Sequence, residues 1–181
     1  STGPYRNRKA YDLLVQAEAG LLSITGTPEE PAKVGISVAD IAAGMYAYSG
    51  VLTALLMRER TGKGTALEVS MLEALGEWMS YPVYYGVYGG TAPQRSGARH
   101  AVIAPYGPFA GGDGDIVYLG IQNEPEWLAF CGSVLRRPEL ATDPRFVSNA
   151  SRVEHHVALD AEIESVFVTL STPAILERLE T

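Results

Sequence analysis

"GISVADIAAGMYAYSGVLTALLMRERTGKG", Gly35 to Gly64, decides how the first half of the chain is read. Ile41, Met45, Tyr48, Leu52, Leu55 and Leu56 recur at the spacing of one broad helical face. The spacing predicts a helix that starts near Asp40, carries Arg58 and Arg60 in its last turn, where cations suit the negative end of the dipole, and closes at Gly62 and Gly64. Asp40 has two readings. An aspartate at a helix start commonly caps orphan N–H groups. Those same N–H groups and the positive end of the dipole favour the ionised carboxylate, the form that attacks an electrophile. Sequence pattern alone does not choose between them.

On the N-terminal side, Ala10, Leu13, Leu14, Ala17 and Leu21 predict a helix from Lys9 to about Ile24, stopped by Gly26 and Pro28. "TPEEPAKVG" reads as a loop, with two prolines and a glycine around charges. On the other side, "TALEVS" alternates like a short strand, and Ser70 with Glu73 forms an S-x-x-E capping box for a helix through Trp78. Helix, strand and helix in this order indicate part of an α/β layer.

Tyrosine, glycine and proline replace the helical pattern in "YYGVYGGTAPQRSGARH", where a linker is expected. Beyond it, "AVIAPYGPF" and "DIVYLGI" read as the strands of a hairpin turned at "GGDGD". Asn123, Pro125 and Glu126 mark a helix start before "WLAFCGSVL". Two further helices are expected, one from about Asn149 to Val168 and one capped by Ser171 or Thr172 with Pro173 just inside. Residues 1–90 thus read as part of a large domain, and 91–181 as linker and a small α+β domain.

An apolar fraction of 46% with 19% charged residues describes a globular chain rather than a disordered one. A net charge of −7 with fourteen scattered Lys and Arg residues argues against nucleic acid as partner and leaves room for a small anion held locally. Cys131 is the single cysteine, so no internal disulfide forms and a reducing, cytoplasmic setting is expected, with the thiol buried in "EWLAFCGSVL". Apolar stretches are interrupted by Gly, Arg or Glu before about 18 residues, so no membrane span is expected. The opening "STGPYRNRKAYD" has no signal-peptide core and reads like the middle of a protein. His100, His155, His156 and Cys131 show no i, i+4 ligand pair and no C-x-x-C, so no metal is expected. No G-x-S-x-G elbow is present, and "GGDGD" precedes no helix that would make it a phosphate cradle.

"KAYDLLVQAEAGLLSITG", the Gly35–Gly64 stretch and "LEVSMLEAL" resemble, in order and spacing, the large-domain segment of the family III CoA-transferases. "RSGARHAVIAPYGPFAGGDGDIVYLGIQNEPEWLAFC" and "PELATDPRFVSNASRV" continue the resemblance into that family's small domain, so it covers nearly the whole chain. The resemblance implies an α/β fold in which part of a nucleotide-fold-like large domain is followed by a small α+β domain with a short antiparallel sheet. It also implies that these residues are an internal portion of a longer enzyme, which forms an interlocked homodimer. Coenzyme A enters as substrate, in an acyl-CoA thioester, and a carboxylic acid accepts it.

In that family an aspartate at the position of Asp40 is the covalent nucleophile, forming first an acyl-aspartyl anhydride and then an aspartyl-CoA thioester. Lys9 and Tyr11 match positions lining the CoA channel, Lys9 against phosphate or pantetheine and Tyr11 beside the thioester. The same superfamily contains 2-methylacyl-CoA racemases, which pair the equivalent aspartate with a histidine. Tyr11 stands about where that histidine would be, and a phenol with an ordinary pKa near 10 is a poor base, so racemase is the alternative. Glu124 resembles a glutamate that supports the racemase pair. A non-catalytic acyl-CoA-binding or dimerising relative is the third reading. One departure concerns the lid: only Gly89 and Gly90 stand where formyl-CoA transferase carries a run of glycines. From charge and place in the linker alone, Arg95, Arg99 and His100 are candidates to pair with the free carboxylate of a dicarboxylic acyl group.

Overall fold

A computed structural model describes residues 2–180 of the chain. The chain divides into two compact units, Ser1–Gly97 and Ala98–Thr181. The fold class is mixed: helices together with a two-stranded antiparallel sheet.

The first unit contains α1 (Asp12–Glu18), α2 (Val38–Thr61), α3 (Met71–Trp78) and α4 (Ser80–Tyr88). Val15 of α1, Ala39 of α2 and Leu75 of α3 form its small core, with Leu21, Val38, Met71 and Leu72 packed against them. α1 is shorter than its apolar pattern predicts. Gly20 takes a left-handed φ of 83°, which ends the helix and restarts the chain as one 3-10 turn, Leu21–Ser23. Its inner face also differs, since Val15 and Gln16 are buried while Leu13 and Leu14 are exposed.

α2 begins at Val38, two residues before Asp40, with Ser37 as the flanking residue, and Gly62 (φ 70°) closes it by donating to the Arg58 carbonyl at 2.7 Å. The apolar face read from the sequence is present but not buried within this chain. Ile41, Met45, Tyr48, Leu52, Leu55 and Leu56 are all exposed, and burial falls on Ala39 and Ala42. The expectation about membrane length is corrected here, because Gly44 and Gly50 do not interrupt the helix. By length and composition alone Val38–Thr61 is long and apolar enough to cross a bilayer, a test that the core helix of a soluble protein also passes.

"TALEVS" is not a strand. A strand is made by its ladder to a neighbour, and among the described residues none pairs with it, leaving Leu67 and Val69 exposed. Ser70 accepts the Glu73 N–H at 3.3 Å as the capping motif predicts. The helical part also runs further than expected, since α4 takes in Tyr84–Tyr88 and ends at Gly89.

In the second unit β1 (Tyr106–Ala110) and β2 (Ile116–Gly120) form the predicted hairpin, with Phe109 opposite Val117 and Gly107 opposite Leu119. These four point inward and are buried, the period-two signature of a half-buried sheet. α7 (His156–Phe167) packs against β1 and α8 (Thr172–Leu179) against β2, and α5 (Glu124–Ala129) and α6 (Asn149–Glu154) complete the unit. Trp127, Phe130, Phe146, Leu159, Ile163 and Phe167 fill the core with Phe109. Asn123 caps α5 by accepting the Glu126 N–H at 2.9 Å. The continuation of α5 is a π-turn, Phe130–Val134, rather than α-helix, and the predicted Asn149–Val168 helix is broken at His155 into α6 and α7. Cys131 is fully buried, as expected, and burial pushes its thiol up to about 12.

The start of α8 is held from the hairpin turn. One Asp113 oxygen accepts the Thr172 N–H at 2.7 Å and the other accepts its hydroxyl at 2.8 Å. These bonds, the backbone one first, hold the Asp113 carboxyl below its ordinary range. A folded-state value below the unfolded one means stability that is present above about pH 4 and is lost as pH falls through the folded value. Asp113→Ala therefore lowers the Tm at pH 7, and its acid unfolding below about pH 4 is shallower than that of the parent chain. Parallel Tm measurements from pH 7 to pH 2 check both.

Candidate active site

The start of α2 is where two carboxylates meet one set of orphan N–H groups. Asp12, the first residue of α1, accepts the Ala39 N–H through Oδ1 at 3.0 Å. Its Oδ2 accepts the Gln16 side-chain amide at 2.7 Å, and Gln16 Oε1 accepts the Val34 N–H at 2.9 Å. Gln16 is fully buried, so this chain of bonds satisfies it while fixing both the loop before α2 and the first turn of the helix. Asp12 thus does from another helix what an N-cap side chain does locally, and Ser37 makes no side-chain cap bond.

Asp40 is consequently not the cap. It lies three residues after Ser37, inside the first turn, exposed, with no hydrogen bond or ion pair among the described residues. A carboxylate in this position keeps both oxygens available and lies near the positive end of a 24-residue helix. Because Asp12 touches Ala39, the residues just before α1 belong to the same neighbourhood. Tyr11 flanks α1 and is 66% exposed, and Lys9, two positions earlier, is exposed too. That one hydrogen bond joins the start of α1, which Tyr11 and Lys9 precede, to the residue before Asp40. Asp12 and Gln16 were not singled out from the sequence. Their i, i+4 spacing is a signal for a side-chain pair on a helix, but nothing local says that the pair reaches 27 residues ahead to Ala39.

The other candidates have partners of their own. Arg95 in the first unit donates from Nε to the Thr27 carbonyl at 2.8 Å and from Nη2 to the Pro28 carbonyl at 3.0 Å, pinning the linker to the loop. In the second unit Arg99 pairs with Asp160 at 2.9 Å and lies over the Phe109 ring. His100 accepts the Val102 N–H on Nδ1 at 3.2 Å, and its ring lies 5.2 Å from that of Tyr106. Glu124 binds Arg152 with both oxygens, each at 3.0 Å. The Arg152 hydrogen bond holds the Glu124 carboxyl below its ordinary range, so it is ionised and occupied rather than poised as a base.

Arg152 is 1% exposed. Its guanidinium also donates to the Ala104 carbonyl at 2.9 Å and the Phe146 carbonyl at 3.1 Å, and it lies over the Trp127 ring. Asn149, one turn earlier, donates to the Val102 carbonyl at 2.9 Å and accepts the Ala104 N–H at 3.2 Å. These two side chains of α6 fix the segment leading into β1.

A family model described as CoA-transferase family III matches residues 1–181. This chain belongs to CoA-transferase family III. Among curated family III relatives it is 39% identical over 165 residues to acetyl-CoA:oxalate CoA-transferase of Acetobacter aceti, covering 90% of this chain and 42% of that protein. It is 31% identical over 181 residues to succinate–glutarate CoA-transferase of Agrobacterium fabrum, covering 99% of this chain and 45% of that protein. The crystal structure of a CAIB/BAIF family protein from Brucella suis superposes with a TM-score of 0.77 at 32% identity, over 99% of this chain and 47% of that one. The chain therefore spans less than half the length of the family III relatives it matches.

Proposed function

We propose that the protein containing these residues moves coenzyme A from an acyl-CoA thioester to a carboxylic acid, with Asp40 as a covalent carrier. The observation that carries this reading is that Asp40 is exposed and unbonded at the start of α2 while Asp12 does the capping. In the first step an Asp40 oxygen attacks the thioester carbonyl, the carbon–sulfur bond breaks, and CoA leaves as the thiolate. The product is an acyl-aspartyl anhydride. The thiolate then attacks the Asp40 carbonyl of that anhydride and expels the donor acid as its carboxylate, leaving an aspartyl-CoA thioester. The acceptor carboxylate repeats the sequence in reverse. Thiolate is released, a second anhydride forms, and attack of the thiolate on the acceptor carbonyl gives the new acyl-CoA and restores Asp40. Each step exchanges one activated acyl bond for another, so one difficult transfer becomes several easier ones.

Lys9 and Tyr11 are proposed to flank the thioester end of coenzyme A, since both are exposed beside the residue that holds the start of α2. Arg99, His100 and Glu124 have partners inside the second unit, and the proposal assigns them no step at Asp40. The relatives' names pair acetyl-CoA with oxalate and succinate with glutarate, so dicarboxylic acids are the first acceptors to test. The test is exchange of labelled CoA between acyl-CoA donors and oxalate, glutarate or succinate, catalysed by the full-length protein, with Asp40→Ala as control. Exchange that persists in the control removes Asp40 from the chemistry.

A further inference from the structure

Gln16 is a fully buried amide next to Val15, a member of the small core of the first unit. Its two ends face groups of opposite kind: Oε1 accepts the Val34 N–H at 2.9 Å, and Nε2 donates to Asp12 Oδ2 at 2.7 Å. A backbone N–H only donates and an ionised carboxylate only accepts, so one orientation of the amide satisfies both partners and the flipped one satisfies neither. Both ends are anchored. Val34 follows a loop that closes on itself, with the Ala32 N–H donating to the Thr25 carbonyl and the Thr27 N–H to the Glu30 carbonyl, each at 2.9 Å. Gly26, at a left-handed φ of 114°, permits that closure, since a Cβ there would collide with the Glu30 carbonyl. Arg95 holds the loop from the linker side, as does the Gly97 N–H, which donates to the Gly26 carbonyl at 2.8 Å.

At the other end Asp12 is only half-buried, and a lone carboxylate there is free to turn about its own bonds. The Gln16 amide takes Oδ2, which leaves Oδ1 for the Ala39 N–H at 3.0 Å. Ala39 is fully buried and immediately precedes Asp40. The direction in which the first turn of α2 presents the Asp40 carboxylate is thus set by Asp12, and the direction of Asp12 is set by Gln16.

We infer that Gln16 is a positioning residue for transfer at Asp40, acting through Asp12 to hold the first turn of α2 in register with the loop before it. The inference rests on the proposed reaction at Asp40 and adds to it a buried residue that touches no substrate.

In the full-length protein Gln16→Glu keeps the size of the side chain and the acceptor for Val34, but puts a carboxylate oxygen where the amide donated to Asp12. Two carboxylates that close hold together only by sharing a proton. With the proton present the chain of bonds is intact; as pH rises and it leaves, the two groups repel and the start of α2 is displaced. The kcat of the variant, divided by that of the parent at the same pH, therefore falls roughly 10- to 100-fold between about pH 5.5 and about pH 8.5, the scale of misplacing a reacting group by about 1 Å, while KM for acyl-CoA and acceptor stays unchanged. Adding Asp12→Asn to Gln16→Glu exchanges carboxylate and amide: the amide now donates in the opposite direction and its oxygen still accepts the Ala39 N–H. The double variant recovers kcat and loses the pH dependence, a rescue that side-chain volume alone does not produce. A flat ratio across pH for Gln16→Glu, or a double variant no better than the single one, overturns the inference. Hydrogen exchange of the peptide spanning residues 36–41 reads the turn without any transfer: exchange faster than in the parent at about pH 8.5 for Gln16→Glu, restored in the double variant, is expected, and unchanged protection overturns it. Transfer that persists in Asp40→Ala sinks the reaction at Asp40 and the positioning role with it, and is told apart from a failure of the bond chain by that protection.

Discussion

Asp40→Ala removes CoA transfer and barely touches stability. Loss of the proposed covalent carrier is expected to lower kcat by at least about 1,000-fold, because the proposed anhydride and thioester then have no atom on which to form. The unfolding free energy changes by less than about 1 kcal/mol, the scale of a charge near a helix dipole, since Asp40 is exposed and bonds to nothing described. Asp12→Ala shows the opposite balance. It strips the Ala39 N–H and the Gln16 amide of their acceptor, costing about 1–2 kcal/mol as lost caps do, and lowers activity only through the displaced start of α2. Urea unfolding and steady-state kinetics on both variants separate the roles. If Asp40→Ala costs the cap energy and Asp12→Ala does not, the assignment of cap and nucleophile is reversed.

The second large effect falls on stability. Arg152→Ala deletes a side chain that is 1% exposed and binds Glu124, Ala104 and Phe146 together. It leaves two buried carbonyls without their donor and a cavity beside Trp127, which places the cost at about 3–5 kcal/mol. Against a domain stability of roughly 5–15 kcal/mol, that loosens or unfolds the second unit. Arg152→Lys recovers little of it, because one ammonium cannot reproduce three directions of a planar fork. Glu124→Gln is milder, since Glu124 is half-exposed and a neutral amide oxygen still accepts. Thermal unfolding of the three variants ranks them, and an Arg152→Ala cost below about 1 kcal/mol contradicts the role given to this arginine.

Features decided by a few neighbouring residues were legible in the sequence. The Ser70 and Asn123 caps, the end of α2 at Gly62 and the hairpin turned at "GGDGD" are local matters of hydrogen bonding and left-handed backbone, and they stand where the pattern put them. Features that need a distant partner were misread. Leu13 and Leu14 look like the inner face of α1, yet the helix is oriented by Asp12 and Gln16, whose partners lie in the loop and helix that follow. The alternation in "TALEVS" is genuine, but only a neighbouring strand makes it a strand. The break at His155 and the π-turn at Phe130 follow packing in the second core, which leaves helical spacing in the sequence almost unchanged.

The same division holds for the site. Asp40, Lys9 and Tyr11 are proposed through resemblance across several blocks rather than through any one motif. The residue that frees Asp40 from capping was missed because the bond between α1 and α2 spans 27 positions. Glu124 and Arg99 have counter-ions, Arg152 and Asp160, that a sequence does not display.

The most direct measurement is intact and peptide mass spectrometry of the full-length protein trapped during turnover with an acyl-CoA donor. Covalent transfer through Asp40 predicts an acyl or CoA adduct on the peptide carrying residue 40, absent from Asp40→Ala. An adduct on another residue, or none at all while exchange proceeds, contradicts it.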